Sequence, residues 1–144
     1  MYGAIGSEAK VNTVLVAESD EVVRGLVKAI INSAGYEAIE TTSGEEALRI
    51  AHHAPVQAIV LDCLTPSSRG AETLKLLRAD SRTAHIPVIA MCGLGQFGAE
   101  LGLWAKAVVV KPFRPAQLLM KLQYVLRAQA EAVPVTHNVV AQAV

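Results

Sequence analysis

The chain has 144 residues, the length of one compact domain, and carries 13 Lys plus Arg against 13 Asp plus Glu. That balance leaves no global field to draw the protein onto nucleic acid or an anionic membrane, so neither is expected as a partner. Hydrophobic residues make up 52% of the chain but aromatics only 4%, so the core has to be built from Val, Leu, Ile and Ala. No apolar run approaches the ~20 residues of a membrane span, and the opening MYGAIGSEAK lacks the pattern of a signal peptide; a cytoplasmic protein is expected. Cys63 and Cys92 sit inside apolar runs without CxxC spacing, which reads as reduced core thiols.

Residues 1–10 read as an extension, 11–128 as the domain and 129–144 as a tail. The run VNTVLVA (11–17) is β-branched and apolar almost throughout, as expected of a strand covered on both faces. It stops at Glu18, Ser19, Asp20 and Glu21. Val22, Val23, Leu26, Val27, Ile30 and Ile31 then recur at helical spacing up to Gly35, with Ser19 or Asp20 as N-cap and Gly35 closing the helix. YEAIETT predicts a short strand and EEALRIAHHA, with acids in its first turn, a helix. QAIVLDCL (57–64) is a buried-type strand broken by one acid, Asp62; TPSSRG is its loop and AETLKLLRAD the next helix. IPVIAMC (86–92) predicts a fourth strand. A glycine-rich stretch then weakens the fourth helix, KAVVV is a fifth strand, and KPFRP leads into a last helix with Pro115 in its first turn. Five strands alternating with helices predict an α/β doubly wound parallel sheet.

In such sheets ligands bind beyond the carboxyl ends of the strands, where strand order reverses. The polar residues at those ends are Glu18 and Ser19, Asp62, Cys92 and Lys111. Two carboxylates, a hydroxyl, a thiol and an ammonium around one crevice suit a phosphoryl group and a hard cation, since Mg²⁺ takes carboxylate and phosphate oxygens and lysine acts as a point charge on phosphate.

Over roughly residues 11–128 the sequence resembles the receiver domains of two-component response regulators. The resemblance rests on the acidic cluster after VLVA, Arg24 six residues beyond Glu18, Gly35-Tyr36, Gly44 with Ala47-Leu48, Asp62 with Pro66 and Gly70, Pro87-Val88-Ile89-Ala90, and Lys111-Pro112-Phe113. It implies a flavodoxin-like five-stranded sheet of order 2-1-3-4-5 and makes Asp62 the phosphoryl acceptor. Lys111 and Cys92 would contact the phosphoryl group. Glu18, Asp62 and the Leu64 backbone carbonyl would hold Mg²⁺, joined by Ser19 or Asp20. It further implies a cis bond between Lys111 and Pro112, a histidine kinase or phosphotransfer protein as donor, and a downstream protein partner, with no enzymatic activity of its own; homodimerisation is left open.

This chain departs from the family pattern in ways that bear on the site. Ser19 stands where a second acid is usual, which removes a metal-ligating carboxylate and predicts weakened Mg²⁺ binding. Cys92 replaces a hydroxyl at the end of the fourth strand and is a poorer donor. Val108 stands where the family's switch aromatic would be, and Arg69 replaces an acid just before Gly70. The leading expectation is therefore an atypical, stand-alone receiver of a phosphorelay. The alternatives are a degenerate pseudo-receiver that docks partners without phosphate and a flavodoxin-like enzyme or flavin carrier. Against the last, the loop after the first strand is acidic rather than a glycine- and hydroxyl-rich phosphate cradle.

Overall fold

A computed structural model describes residues 12–63, 69–95 and 99–128. The expected N-terminal extension, Leu64 and the tail lie outside them. The elements run β1 (Thr13–Ala17), α1 (Glu21–Ser33), β2 (Glu37–Thr41), α2 (Gly44–His53), β3 (Ala58–Asp62), α3 (Gly70–Ala79), β4 (Val88–Gly93), α4 (Ala99–Trp104) and β5 (Ala107–Lys111), followed by helix α5, described over 115–128. All strands are parallel in the order β2-β1-β3-β4-β5, as the alternation predicts.

The apolar strands are explained by what covers them. In β1, Val14 and Val16 face a core completed by Val27, Ile30 and Ile31 of α1 and by Leu118, Leu122 and Val125 of α5. Leu15 and Ala17 point the opposite way, into a second core with Ala47 and Ala51 of α2, Leu74 and Leu77 of α3 and Leu101 of α4. The same alternation runs through β3 and β4, so every position of these strands is buried. Each fully buried leucine contributes about 1.5–3 kcal/mol relative to exposure. Charge is thereby excluded from the strand bodies, and polar residues survive only at strand ends.

Helix ends are set locally. Asp20 is the N-cap of α1, its carboxylate accepting from the amides of Val22 and Val23 at 2.9 and 3.0 Å. At the other end Gly35 adopts φ +89° while the Tyr36 amide reaches the Ile31 carbonyl and the Gly35 amide that of Asn32, the paired bonds of a Schellman ending. Ser43 caps α2 through the Glu46 amide. The fourth helix is six residues long, in line with the glycines that precede and interrupt it.

Gly70, the first residue of α3, lies against the end of β3: a Cβ there would sit 2.1 Å from the Asp62 carbonyl oxygen and 2.7 Å from Cys63 Sγ. Gly25, mid-way along the exposed side of α1, has nothing within 4 Å of a built Cβ. Gly70→Ala should lower the unfolding free energy by about 2 kcal/mol, whereas Gly25→Ala should raise it by about 0.5–1 kcal/mol, read from urea denaturation midpoints at constant m-value.

Candidate functional site

Strand order reverses at β1, which has β2 on one side and β3 on the other. The residues at the carboxyl ends of β1 and β3 are Glu18 and Asp62. Both are almost fully inside the protein, at 2% and 4% exposure. They are joined by Lys111, the last residue of β5, whose Nζ donates to Glu18 Oε1 at 2.7 Å and to Asp62 Oδ1 at 3.1 Å. β5 lies two strands from β3 and three from β1, roughly 10 and 14 Å at ordinary strand spacing. A lysine stem crosses that span, and the extra methylene of glutamate over aspartate brings the β1 carboxylate to meet it. The Lys111-Pro112 peptide bond is cis, as the family resemblance implied.

Burial by itself pushes the Lys111 ammonium towards the neutral form, but the hydrogen bonds from Glu18 and Asp62 outweigh it and hold its pKa above the ordinary 10.5. The stem is mostly enclosed and two formal negative charges meet one positive, so the pair of carboxylates depends on this cation for much of its compensation.

The loop carrying Glu18 is braced from outside. The Asp20 amide donates to Glu18 Oε2 at 3.0 Å. Arg24 Nη1 donates to the Glu18 carbonyl at 2.9 Å and to that of Ser19 at 3.4 Å, while its Nε pairs with Glu40 of β2 at 3.4 Å. Arg24 entered the sequence reading only as a spacing match. Six residues past Glu18, it sits on the second turn of α1 with its head turned back onto the loop, a clamp that the spacing alone does not reveal.

The remaining sequence-derived site residues are distributed unevenly. Asp20 is exposed and its carboxylate is taken up as the cap of α1, and the Ser19 side chain is exposed beside it. Cys92 is completely buried in the second core, and burial raises its thiol pKa. Cys63, next to Asp62, is pushed up to about 12, first by burial and then by the Asp62 charge, so the thiolate is disfavoured at both positions. Val108 is half-buried at the edge of that core. Arg69, in the left-handed region at φ 54°, pairs with Glu72 at 3.1 Å. Among the described residues no three His, Cys, Asp or Glu side chains are grouped to hold a metal, and no helix is long and apolar enough to cross a membrane. Mg²⁺, however, needs only one or two protein carboxylates when phosphate and water complete its shell, and Glu18 with Asp62 meet that minimum.

A five-stranded parallel sheet of order 2-1-3-4-5, with acids at the switch point and a lysine bridging to them from β5, defines a flavodoxin-like α/β module with a charged crevice at its carboxyl edge. The chain belongs to the response regulator receiver domain family, which it matches over residues 14–123. It is 36% identical over 88 residues to the polar-differentiation response regulator DivK of Brucella ovis, covering 61% of this chain and 72% of DivK. It is 29% identical over 120 residues to the phosphate regulon transcriptional regulatory protein PhoB of Pseudomonas aeruginosa, covering 80% of this chain and 52% of PhoB. The chain thus spans about half the length of PhoB and of a similar relative from Guillardia theta. Among solved structures, chemotaxis protein CheY4 of Vibrio cholerae superposes with a TM-score of 0.73 at 30% identity, covering 81% of this chain and 100% of CheY4. The receiver domain of the sensor histidine kinase PA1611 of Pseudomonas aeruginosa, which holds a magnesium ion in its active-site cleft, superposes with a TM-score of 0.73 at 26% identity, covering 81% of this chain and 98% of that domain. The protein is a receiver module of two-component signalling.

Lys111→Met removes the cation shared by two buried carboxylates and should lower stability at pH 7 by about 3 kcal/mol in urea denaturation. Because the folded pKa of Lys111 lies above its unfolded value, its contribution is full below pH 10.5 and is lost as pH rises through the folded value. Wild-type stability should therefore fall more steeply above pH 10.5 than that of the variant.

Proposed function

We propose that Asp62 is the phosphoryl acceptor of a phosphorelay, supplied by a histidine kinase or a phosphotransfer protein, and that the domain passes the signal on through contact with a downstream protein. The observation that carries this reading is the half-buried Lys111 ammonium held between Glu18 and Asp62 at the switch point of the sheet. A carboxylate oxygen of Asp62 attacks phosphorus in line. The new O–P bond forms as the donor's N–P bond breaks, and the departing imidazole nitrogen keeps the electron pair and takes up a proton. Lys111 holds one phosphoryl oxygen as a point charge, and Glu18 remains its counter-ion, so the cation stays aimed at the crevice. Gly70 lets the amino end of α3 lie close to Asp62 without a side chain between them. The buried thiol of Cys92 gives the phosphoryl group a weaker donor than a hydroxyl would.

Glu18, Asp62 and the Leu64 backbone carbonyl are the groups that would hold Mg²⁺, with the Ser19 hydroxyl beside them; when bound, the ion supplies neutralisation of the phosphoryl oxygens. Asp20 gives one carboxylate oxygen, Oδ1, to two amides of α1, and its other oxygen is the one that would reach the ion. The domain is on this reading a switch that changes partners rather than an enzyme.

Incubation with acetyl phosphate and Mg²⁺ should add one phosphoryl group to the wild-type chain by intact mass and none to Asp62→Asn. Absence of the adduct in wild type, over a range of Mg²⁺ concentrations, would overturn the assignment. Ser19→Asp restores a carboxylate beside the crevice and should tighten Mg²⁺ binding by about tenfold or more, measured by isothermal titration. Unchanged affinity would show that position 19 does not face the ion.

A further inference from the structure

The opposite end of the sheet carries a feature that phosphoryl transfer does not use. Where β4 and β5 begin, a cavity of about 300 Å³ opens between the turn after α3 and the ends of α4 and α5. This is at the lower end of the range for small-molecule pockets. Its walls include Ile86, Leu103 and Trp104 as apolar surface and Arg78, His85 and Lys106 as basic groups, and no Asp or Glu among the described residues lines it. Lys106 and Lys111 bracket β5, which separates the cavity from the Asp62 crevice by roughly 16 Å.

Arg78 is the informative residue. It is half-buried, and its guanidinium is fixed by two carbonyls: Nε donates to Trp104 at 2.8 Å and Nη1 to Ala84 at 2.9 Å. Those bonds use two of its five N–H donors. Among the described residues no carboxylate pairs with it, although Arg24, Arg49, Arg69 and Arg82 have such partners. The carboxylate in the adjoining turn, Asp80, is held by Arg82 at 3.1 Å and by His52 at 2.7 Å. Carbonyl dipoles position a guanidinium but bring no net charge, and burial lowers the pKa of Arg78 without an ion pair to offset it. A rigidly held, partly desolvated cation with free donors, beside a second cation and an apolar wall, is the arrangement that recognises an oxyanion on an apolar body.

We propose that this cavity binds a small organic anion, its carboxylate or phosphate on Arg78 and Lys106 and its apolar body against Trp104, Leu103 and Ile86. The site is independent of phosphorylation at Asp62. Binding there ties the end of α4 to the turn between α3 and β4, which Arg78 already bridges through its two carbonyl bonds.

Trp104 is the single tryptophan of the chain, so its emission reports on this cavity alone. Its ring already carries the Lys75 ammonium at 5.2 Å from the centroid. The full chain is titrated with phenyl phosphate, benzoate and neutral benzyl alcohol while Trp104 emission is followed. Saturation with phenyl phosphate or benzoate at millimolar concentration or below, and none with benzyl alcohol, is the expected result, and the tighter of the two anions identifies the oxyanion. Lys106→Glu, at an exposed position, should weaken that binding by about tenfold or more with the circular dichroism spectrum retained. Arg78→Lys keeps the charge but loses the fork, and should weaken it as well. Absence of saturation with both anions, equal binding of benzyl alcohol, or an unchanged affinity in Lys106→Glu would overturn the proposal.

Discussion

The charged crevice of this domain depends on one half-buried ammonium. Lys111 reaches from the edge of the sheet across two strand ends and meets Asp62 and Glu18, both nearly inaccessible to water. Two carboxylates at this depth repel each other and lose hydration, and the cation between them is what makes their proximity tolerable. The ion triad is weak evidence for stability in its own right, since desolvation consumes much of the Coulomb gain. Its consequence is geometric: charges that could not be buried singly are held at fixed positions at the mouth of the crevice.

The surrounding fold supplies that geometry without contributing chemistry of its own. Three central strands are buried on both faces, which drives all their side chains to be apolar and confines ionisable groups to the strand ends. The carboxyl ends collect acids with one lysine among them. The amino ends of β4 and β5 are lined instead by Arg78, His85 and Lys106. The chain's net charge of zero therefore says nothing of the unlike character of these two ends. The presence of Ser19 where an acid is usual and of Cys92 where a hydroxyl is usual leaves Asp62 and Lys111 paired at the crevice and the sheet order intact.

Much of this was legible from residue order because its causes are local. The amide-capping habit of aspartate and the positive φ open to glycine bracket α1 between Asp20 and Gly35, and periodicity separated strand from helix at each element. Between Ser19 and Asp20 the sequence left the cap open; in the fold, Asp20 takes it through one carboxylate oxygen. Other contacts had no local signal. His52, in the last turn of α2, is half-buried and bound to Asp80, 28 positions away. Gly44 was noted as part of a motif, yet its place comes from Thr73 of α3, whose hydroxyl occupies the space a Cβ would need. Arg78 stands in the last turn of α3, and its two carbonyl partners, Trp104 and Ala84, both come from outside that helix.

By itself the sequence determined the class of fold, the strand ends at which charge could appear and the residues that would stand there, because these follow from hydrophobic period and from the burial of a parallel sheet on both faces. Only the tertiary structure decided which of those charges meet. That outcome depends on the spacing of β1, β3 and β5 across the sheet and on the reach of lysine and glutamate side chains, and neither is written in the order of residues along one strand. The same holds at the other end, where an arginine becomes a candidate anion receptor only because the turn and α4 close around it.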